Sequence, residues 1–430
     1  MNRLILRLAI PNILSNLTVP LLGMVDTALM GRLDSPYYLG AVALGSLVLN
    51  FIYWGMGFLR MGTTGMTAQA YGQGDAPAQI HLLGRALLVA GSAALLILLL
   101  QRPIAWLGFA LIPGEAEVLE LARSYFFIRV WAAPATIGLY ALQGWFLGMQ
   151  NARFPLFLTL LINLANVGLN LWLVLGEGLQ SDGVALATVM AQYLGLLAAL
   201  GLFWLRYRGL LAHLHWQALV QRAALARFFS VNADIFVRTL CLIFTFSFFT
   251  AQSSGVDPLV LAANQILLQY FYTMSFGVDG FAFAAESLVG RFTGEGHQAR
   301  LRAVLGRLFL WGGGLGIAFA LLYALAGGPL LRLFTDQPEV IAAAQPYLGW
   351  MSGLAIAGAV AFLWDGAYIG ATAVRPMRNT MLLATFGVFL PAFYLAFPHL
   401  GNHGLWLAML LFMLARSVLL TVLAKRYVWG

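Results

Sequence analysis

The chain has 430 residues, of which 61% are hydrophobic and 9% charged, against about 25% charged in an ordinary soluble domain. That deficit excludes a soluble enzyme, because long stretches such as 87–100 carry no ionisable residue and leave no charged face for water. The formal charge of +8 does not point to nucleic acid either, since the basic residues, all Arg except Lys425, are scattered over short loops.

In chain order, apolar windows of about twenty residues centre near Pro20, Leu49, Ala93, Ala133, Ala165, Tyr193, Leu240, Met274, Gly316, Ala357, Pro391 and Leu411. They lack the alternation of barrel strands and predict twelve transmembrane helices. Arg3 and Arg7 precede the first window, which runs to Met30 without a small-residue cleavage site and reads as a retained helix. Turn and breaker residues separate the windows at Arg32 to Pro36, Gly72 to Pro77, Gly176 to Gly183, Ser253 to Pro258, Gly294 to His297 and Thr335 to Pro338. The one longer break, Arg206 to Arg227, divides six helices from six. The expected organisation is an N-lobe over 1–205, a cytoplasmic linker over 206–227 and a C-lobe over 228–430.

Charge supports that count. Arg3, Arg7, Arg85, Arg153, Arg206, Arg208, Arg222, Arg227, Arg291, Arg300, Arg302, Arg307, Arg375, Arg378, Lys425 and Arg426 fall on one side, and most loop acids, among them Glu115, Glu117, Asp182, Asp257 and Glu339, on the other. The positive-inside rule then places both termini in the cytoplasm. A shift of 222 positions superposes Pro36 on Pro258, Gly72 on Gly294, Gly74 on Gly296, Arg85 on Arg307, Gly144 on Gly366, Gly148 on Gly370 and Arg153 on Arg375. Six helices separate the copies, so both enter the membrane in the same sense and suit alternating access about a central cavity.

An ionisable side chain inside a membrane helix costs about 2.5 kcal/mol or more, which makes each one a functional candidate. Here these are Asp26, Arg60, Arg129, Asp234, Arg238, Asp279, Glu286, Asp365 and Arg416. Asp26 lies deep in the first helix, where Pro11 and Pro20 can each bend the backbone, and its depth suits a proton or cation site. Asn163, Asn166 and Asn170 share one face of the fifth helix and, with Thr188 in the sixth, give a polar lobe interior. Asp279 and Glu286 stand two turns apart on the eighth helix, with Asp365 expected opposite and Tyr270 and Tyr368 among the aromatic residues that could flank a cationic substrate. Asp234 and Arg238, at i and i+4, predict a pair with each other, and Arg129 and Arg416 are placed to snorkel towards an interface. Cys241 is the single cysteine and reads as packing. Neither the six histidines nor the glycine turns form a metal or nucleotide motif.

Leu8-Ala9-Ile10-Pro11 followed by Val25-Asp26-Thr27-Ala28-Leu29-Met30-Gly31 resembles the first helix of the multidrug and toxic compound extrusion (MATE) family. Asp279-Gly280-Phe281-Ala282 with Ala285-Glu286-Ser287-Leu288-Val289-Gly290 is similar to the eighth helix of its DinF-like branch, residues 365–372 to the tenth and residues 183–188 to the sixth. The resemblance covers the whole chain. It implies an all-α integral membrane protein of twelve transmembrane helices in two pseudo-symmetric six-helix lobes, not an enzyme. It further implies an antiporter exporting amphipathic, often cationic small molecules in exchange for protons or sodium, with no other cofactor.

By the family's pattern Asp26 is the coupling acid, Asn166, Asn170 and Thr188 its partners, and Pro11 the bending proline. Some relatives carry Asp where this chain has Asn170, and the lost charge shifts the expectation from sodium at Asp26 to protons. The family's C-lobe cation site, built around a Glu of the seventh helix, has no clear counterpart here. The expected setting is a monomer in the lipid of a bacterial inner membrane, without nucleic acid. The alternative reading, a flippase for a lipid-linked substrate, would require an Arg-lined cavity.

Overall fold

The computed structural model describes residues 1–30, 35–112 and 114–429, with the side chains of all of these except 19–22, 24–30 and 36. The side chains of Asp26 and Pro20, and the loop residues Arg32 and Asp34, therefore lie outside the described residues.

The chain folds into long helices: α1 (Asn2–Met30), α2 (Tyr37–Gln73), α3 (Ala76–Leu99), α4 (Ala116–Gly148), α5 (Arg153–Gly176), α6 (Gln180–His213) and α7 (Arg222–Ser254), then α8 (Pro258–Gly294), α9 (Gln298–Leu331), α10 (Pro338–Gly370), α11 (Val374–Leu400) and α12 (Asn402–Tyr427). Each of the twelve apolar windows falls on one of them. Among the described residues, ten are long and apolar enough to cross a membrane. Outside those ten are α1, whose side chains are described in part, and the 37-residue α8, which is more polar and carries Asp279, Glu286 and Arg291 along a largely buried surface.

The internal repeat is visible in the chemistry that starts, stops and packs the helices. Ser35 and Asp257, 222 positions apart, each begin a helix by accepting an N–H bond two residues on, at Tyr37 and Leu259, ahead of a proline at the first helical position. Gly74 and Gly296 end the paired helices with φ of +70° and +68°, a left-handed cap that glycine adopts without steric cost. Close approaches repeat as well. A Cβ on Gly144 would collide with the Arg60 carbonyl, and one on Gly366 with the carbonyl of Ala282, the residue 222 further on. Small residues let such helix backbones touch, which drives association where lipid offers no hydrophobic force.

By their contacts the residues form two compact units, Leu14–Phe229 and Ser230–Gly430, the latter joined by Met1–Ile13. In the N-terminal unit Trp145, Phe146, Leu142 and Leu158 form a buried core with Phe203, and the Trp145 indole donates to Gln79 O at 2.8 Å. In the C-terminal unit Gly280 of α8 lies against Ala9 and Ile13, so the first three turns of α1 pack there.

Two local features depart from the sequence reading. The break between the third and fourth windows holds a further helix, Gln101–Ala110, with Ala105 and Phe109 buried and Trp106 exposed. The 206–227 segment is short and structured: α6 continues into it, Trp216–Leu219 adds one turn, and Arg85 donates to Leu219 O at 3.2 Å and Ala218 O at 2.7 Å. Three helices also contain wide π turns, at Leu171–Gly176, Phe309–Gly313 and Leu383–Phe389, which often mark functional segments.

Candidate functional site

In the N-terminal unit the amide stripe of α5 meets α6 as its spacing predicts. Asn170 Nδ2 donates to Asn166 Oδ1 at 3.1 Å, Asn166 Nδ2 donates to Thr188 Oγ1 at 3.1 Å, and Thr188 Oγ1 donates to Val184 O at 2.9 Å. Asn166 and Asn170 are buried. Asn163, one turn before, donates to Thr18 Oγ1 at 3.0 Å and ties α5 to α1, the helix that carries Asp26 eight residues beyond Thr18. Amides suit this interior because each supplies both donor and acceptor without the cost of a buried charge. Pro11 lies in α1 within the segment that packs with the C-terminal unit.

The C-terminal unit buries ions. Asp365 of α10 accepts from Arg238 of α7 and, at 2.6 Å, from Arg416 of α12, both guanidinium groups meeting the same oxygen, Oδ2. All three side chains are at most 8% exposed. The α10–α12 seam that holds this arrangement is stitched by Ser417 to Ala357 O, the Trp364 indole to Thr421 and the Tyr368 hydroxyl to Leu420 O, at 2.7 to 2.8 Å. Arg416 further donates to Met413 Sδ at 3.2 Å and stacks its guanidinium over Phe412 and Phe362, 5.3 and 5.7 Å from the ring centroids. Aromatic faces and a shared carboxylate together make a fully buried cation tolerable.

Two expectations are corrected here. Arg416 does not snorkel; it is 0% exposed and anchored on Asp365, because an acid within reach outweighs a distant interface. Asp234 and Arg238 do not pair with each other. Asp234 accepts from Arg378 at 2.5 Å and lies 3.9 Å from Arg375, both at the start of α11, while Arg238 turns to Asp365.

The other candidates of the C-terminal half are spread over the same unit, while Arg60 and Arg129 belong to the N-terminal one. Asp279 is half-buried and accepts from Ser275 at 3.2 Å; Glu286, two turns on, is buried beside α10, where Gly370 approaches its backbone carbonyl. Tyr270 and Tyr368 are buried with their hydroxyls on the carbonyls of Gly327 and Leu420. Sequence reasoning missed a polar knot at the other end of this unit: Asn264 exchanges amide bonds with Asn402 at 2.7 and 2.9 Å, donates to Ser253 at 2.8 Å and accepts from the Trp406 indole. No spacing rule would have found it, since its members come from α7, α8 and α12.

The MatE family profile matches residues 11–172 and 235–395, one match in each half of the chain. The protein belongs to the MatE family. Among MatE relatives, DNA damage-inducible protein F of Escherichia coli (strain K12) is 38% identical over 422 residues, covering 98% of this chain and 91% of its own. The multidrug resistance protein PmpM of Pseudomonas aeruginosa is 26% identical, with 98% and 91% covered. A crystal structure described as MATE in the bent conformation shares the fold at a TM-score of 0.88 and 17% identity, over 99% of this chain and 94% of the other. The twelve-helix, two-lobe MATE fold is thus that of a transporter of the multidrug efflux family, not an enzyme.

Proposed function

We propose that the protein is a proton-coupled antiporter of a bacterial inner membrane, with both termini in the cytoplasm, that exports amphipathic, cationic small molecules by alternating access between lobes 1–205 and 228–430. Asp26 is the coupling acid and Asn166, Asn170 and Thr188 its polar surroundings. The observation that carries this reading is the occupancy of Asp365: two buried guanidinium groups already hold its Oδ2, which leaves that carboxylate poorly suited to take and release a coupling ion. The amide chain of α5 and α6, tied through Asn163 and Thr18 to the helix of Asp26, supports the same assignment. A polar lining of neutral amides favours protons over sodium, whose site would gather more charged oxygens. In the C-terminal half the half-buried Asp279 is the acid offered to a cationic substrate.

Buried arginines favour the flippase reading, in which they would face a pyrophosphate. Arg238 and Arg416 are both engaged by Asp365, however, and so are committed within their own half. The test is ethidium efflux from liposomes under a pH gradient or a sodium gradient imposed separately. Efflux driven by the pH gradient is expected; efflux driven by sodium alone would replace the coupling ion, and no ethidium movement under either gradient would favour the flippase.

A further inference from the structure

The start of α11 and the end of α12 enclose a groove of about 470 Å³, and we propose, on the orientation proposed above that puts these ends in the cytoplasm, that it is a binding site for an anionic phospholipid of the inner leaflet. Its polarity changes with depth in the way such a lipid requires. Arg375 and Asn379 on α11 and Tyr427 on α12 line one end, and Leu383, Leu419 and Leu423 the other. The helices run in opposite directions here, so eight residues down α11 and eight back along α12 both descend roughly 12 Å. Polar thereby meets polar at the mouth and apolar meets apolar below. Leu383 opens the π turn of α11 and is 53% exposed, leaving an apolar flank to hydrocarbon.

Charge selects the headgroup. Arg375 lines the mouth; Arg378 stands beside it, bonded to the lining Asn379 and, at 2.5 Å, to Asp234, the acid here. Arg375 is 3.9 Å from Asp234 and its side chain is 75% exposed, which leaves its guanidinium open to a phosphate. Arg426 lies over the Tyr427 ring, 5.4 Å from its centroid, at the same rim. One acid, Asp234, against three bases, Arg375, Arg378 and Arg426, leaves an excess of two positive charges on an amphipathic groove. Basic pockets between helices on the cytoplasmic side attract anionic lipid with about 1 kcal/mol per base, or about fivefold in affinity.

The test uses the full chain, delipidated in mild detergent and offered dioleoyl phosphatidylglycerol or dioleoyl phosphatidylcholine before native mass spectrometry. One phosphatidylglycerol should be retained in preference to phosphatidylcholine. Arg375→Gln and Arg426→Gln should each lower its retention about fivefold, and Leu419→Trp, which fills the apolar end, should block it. Glycerol 3-phosphate should not displace the lipid. Equal retention of the two lipids, unchanged retention in both Arg variants, or displacement by glycerol 3-phosphate alone would overturn the proposal. In the wild type, phosphatidylglycerol with a photoreactive acyl chain should mark peptides from 383–389 and 414–427. Labelling confined to other helices would refute it, whatever the fate of the variants.

Discussion

The two units solve the same problem, a polar interior inside a lipid-facing bundle, with different chemistry. In the N-terminal unit Asn170, Asn166 and Thr188 hand hydrogen bonds from one to the next and end on a backbone carbonyl. In the C-terminal unit Arg238 and Arg416 converge on Asp365. The backbone frame is shared, down to the helix caps at Ser35 and Asp257 and the crossings at Gly144 and Gly366. The side chains have diverged on it. A neutral network can stand beside an acid that changes charge, because it carries no fixed charge to oppose either state. A cluster of fixed charges is a strut, since each ion depends on its partners staying ionised.

The sharpest way to break this contrast is to remove the acid of the strut. Asp365→Asn leaves two buried guanidinium groups uncompensated and should cost about 3–5 kcal/mol, read as a large drop in the thermal unfolding midpoint in detergent. Replacing the cluster together, Arg238→Leu with Asp365→Leu and Arg416→Met, should recover most of that loss, since buried ions exchanged jointly for apolar residues are often neutral or better. A triple variant no more stable than Asp365→Asn would mean the cluster does more than hold helices. At the repeated crossings, Gly144→Ala and Gly366→Ala should each cost about 1–3 kcal/mol by overpacking, and by similar amounts if the two halves share one frame. In the neutral network Thr188→Val removes the acceptor of Asn166 and should cost about 1 kcal/mol, the smallest effect of the set.

Much of this was legible in the sequence because membrane helices announce themselves by length and apolarity. All twelve windows lie on long helices, and the 222-residue repeat anticipated glycines that the structure places in left-handed caps and at close crossings. The α5 amide stripe was legible for a related reason, since one face of one helix meets its neighbour in sequence. Ion pairs were not. The i, i+4 rule joined Asp234 to Arg238 on one helix, but partners on α10 and α11 reach each charge with better geometry, and spacing along a helix says nothing about which neighbour it faces. The Asn264–Asn402 pair failed for the same reason, its members lying on α8 and α12 with three helices of chain between them.

We propose coupling at Asp26 in the first half of the chain and a structural role for Asp365 in the second. Ethidium efflux under a pH gradient, measured in liposomes for Asp26→Asn beside the Arg238→Leu, Asp365→Leu, Arg416→Met triple variant, tests it most directly. Asp26→Asn should abolish pH-driven efflux while the triple variant, once folded and reconstituted, retains it. Normal pH-driven efflux by Asp26→Asn, with loss of the pH response in a well-folded triple variant, would contradict it.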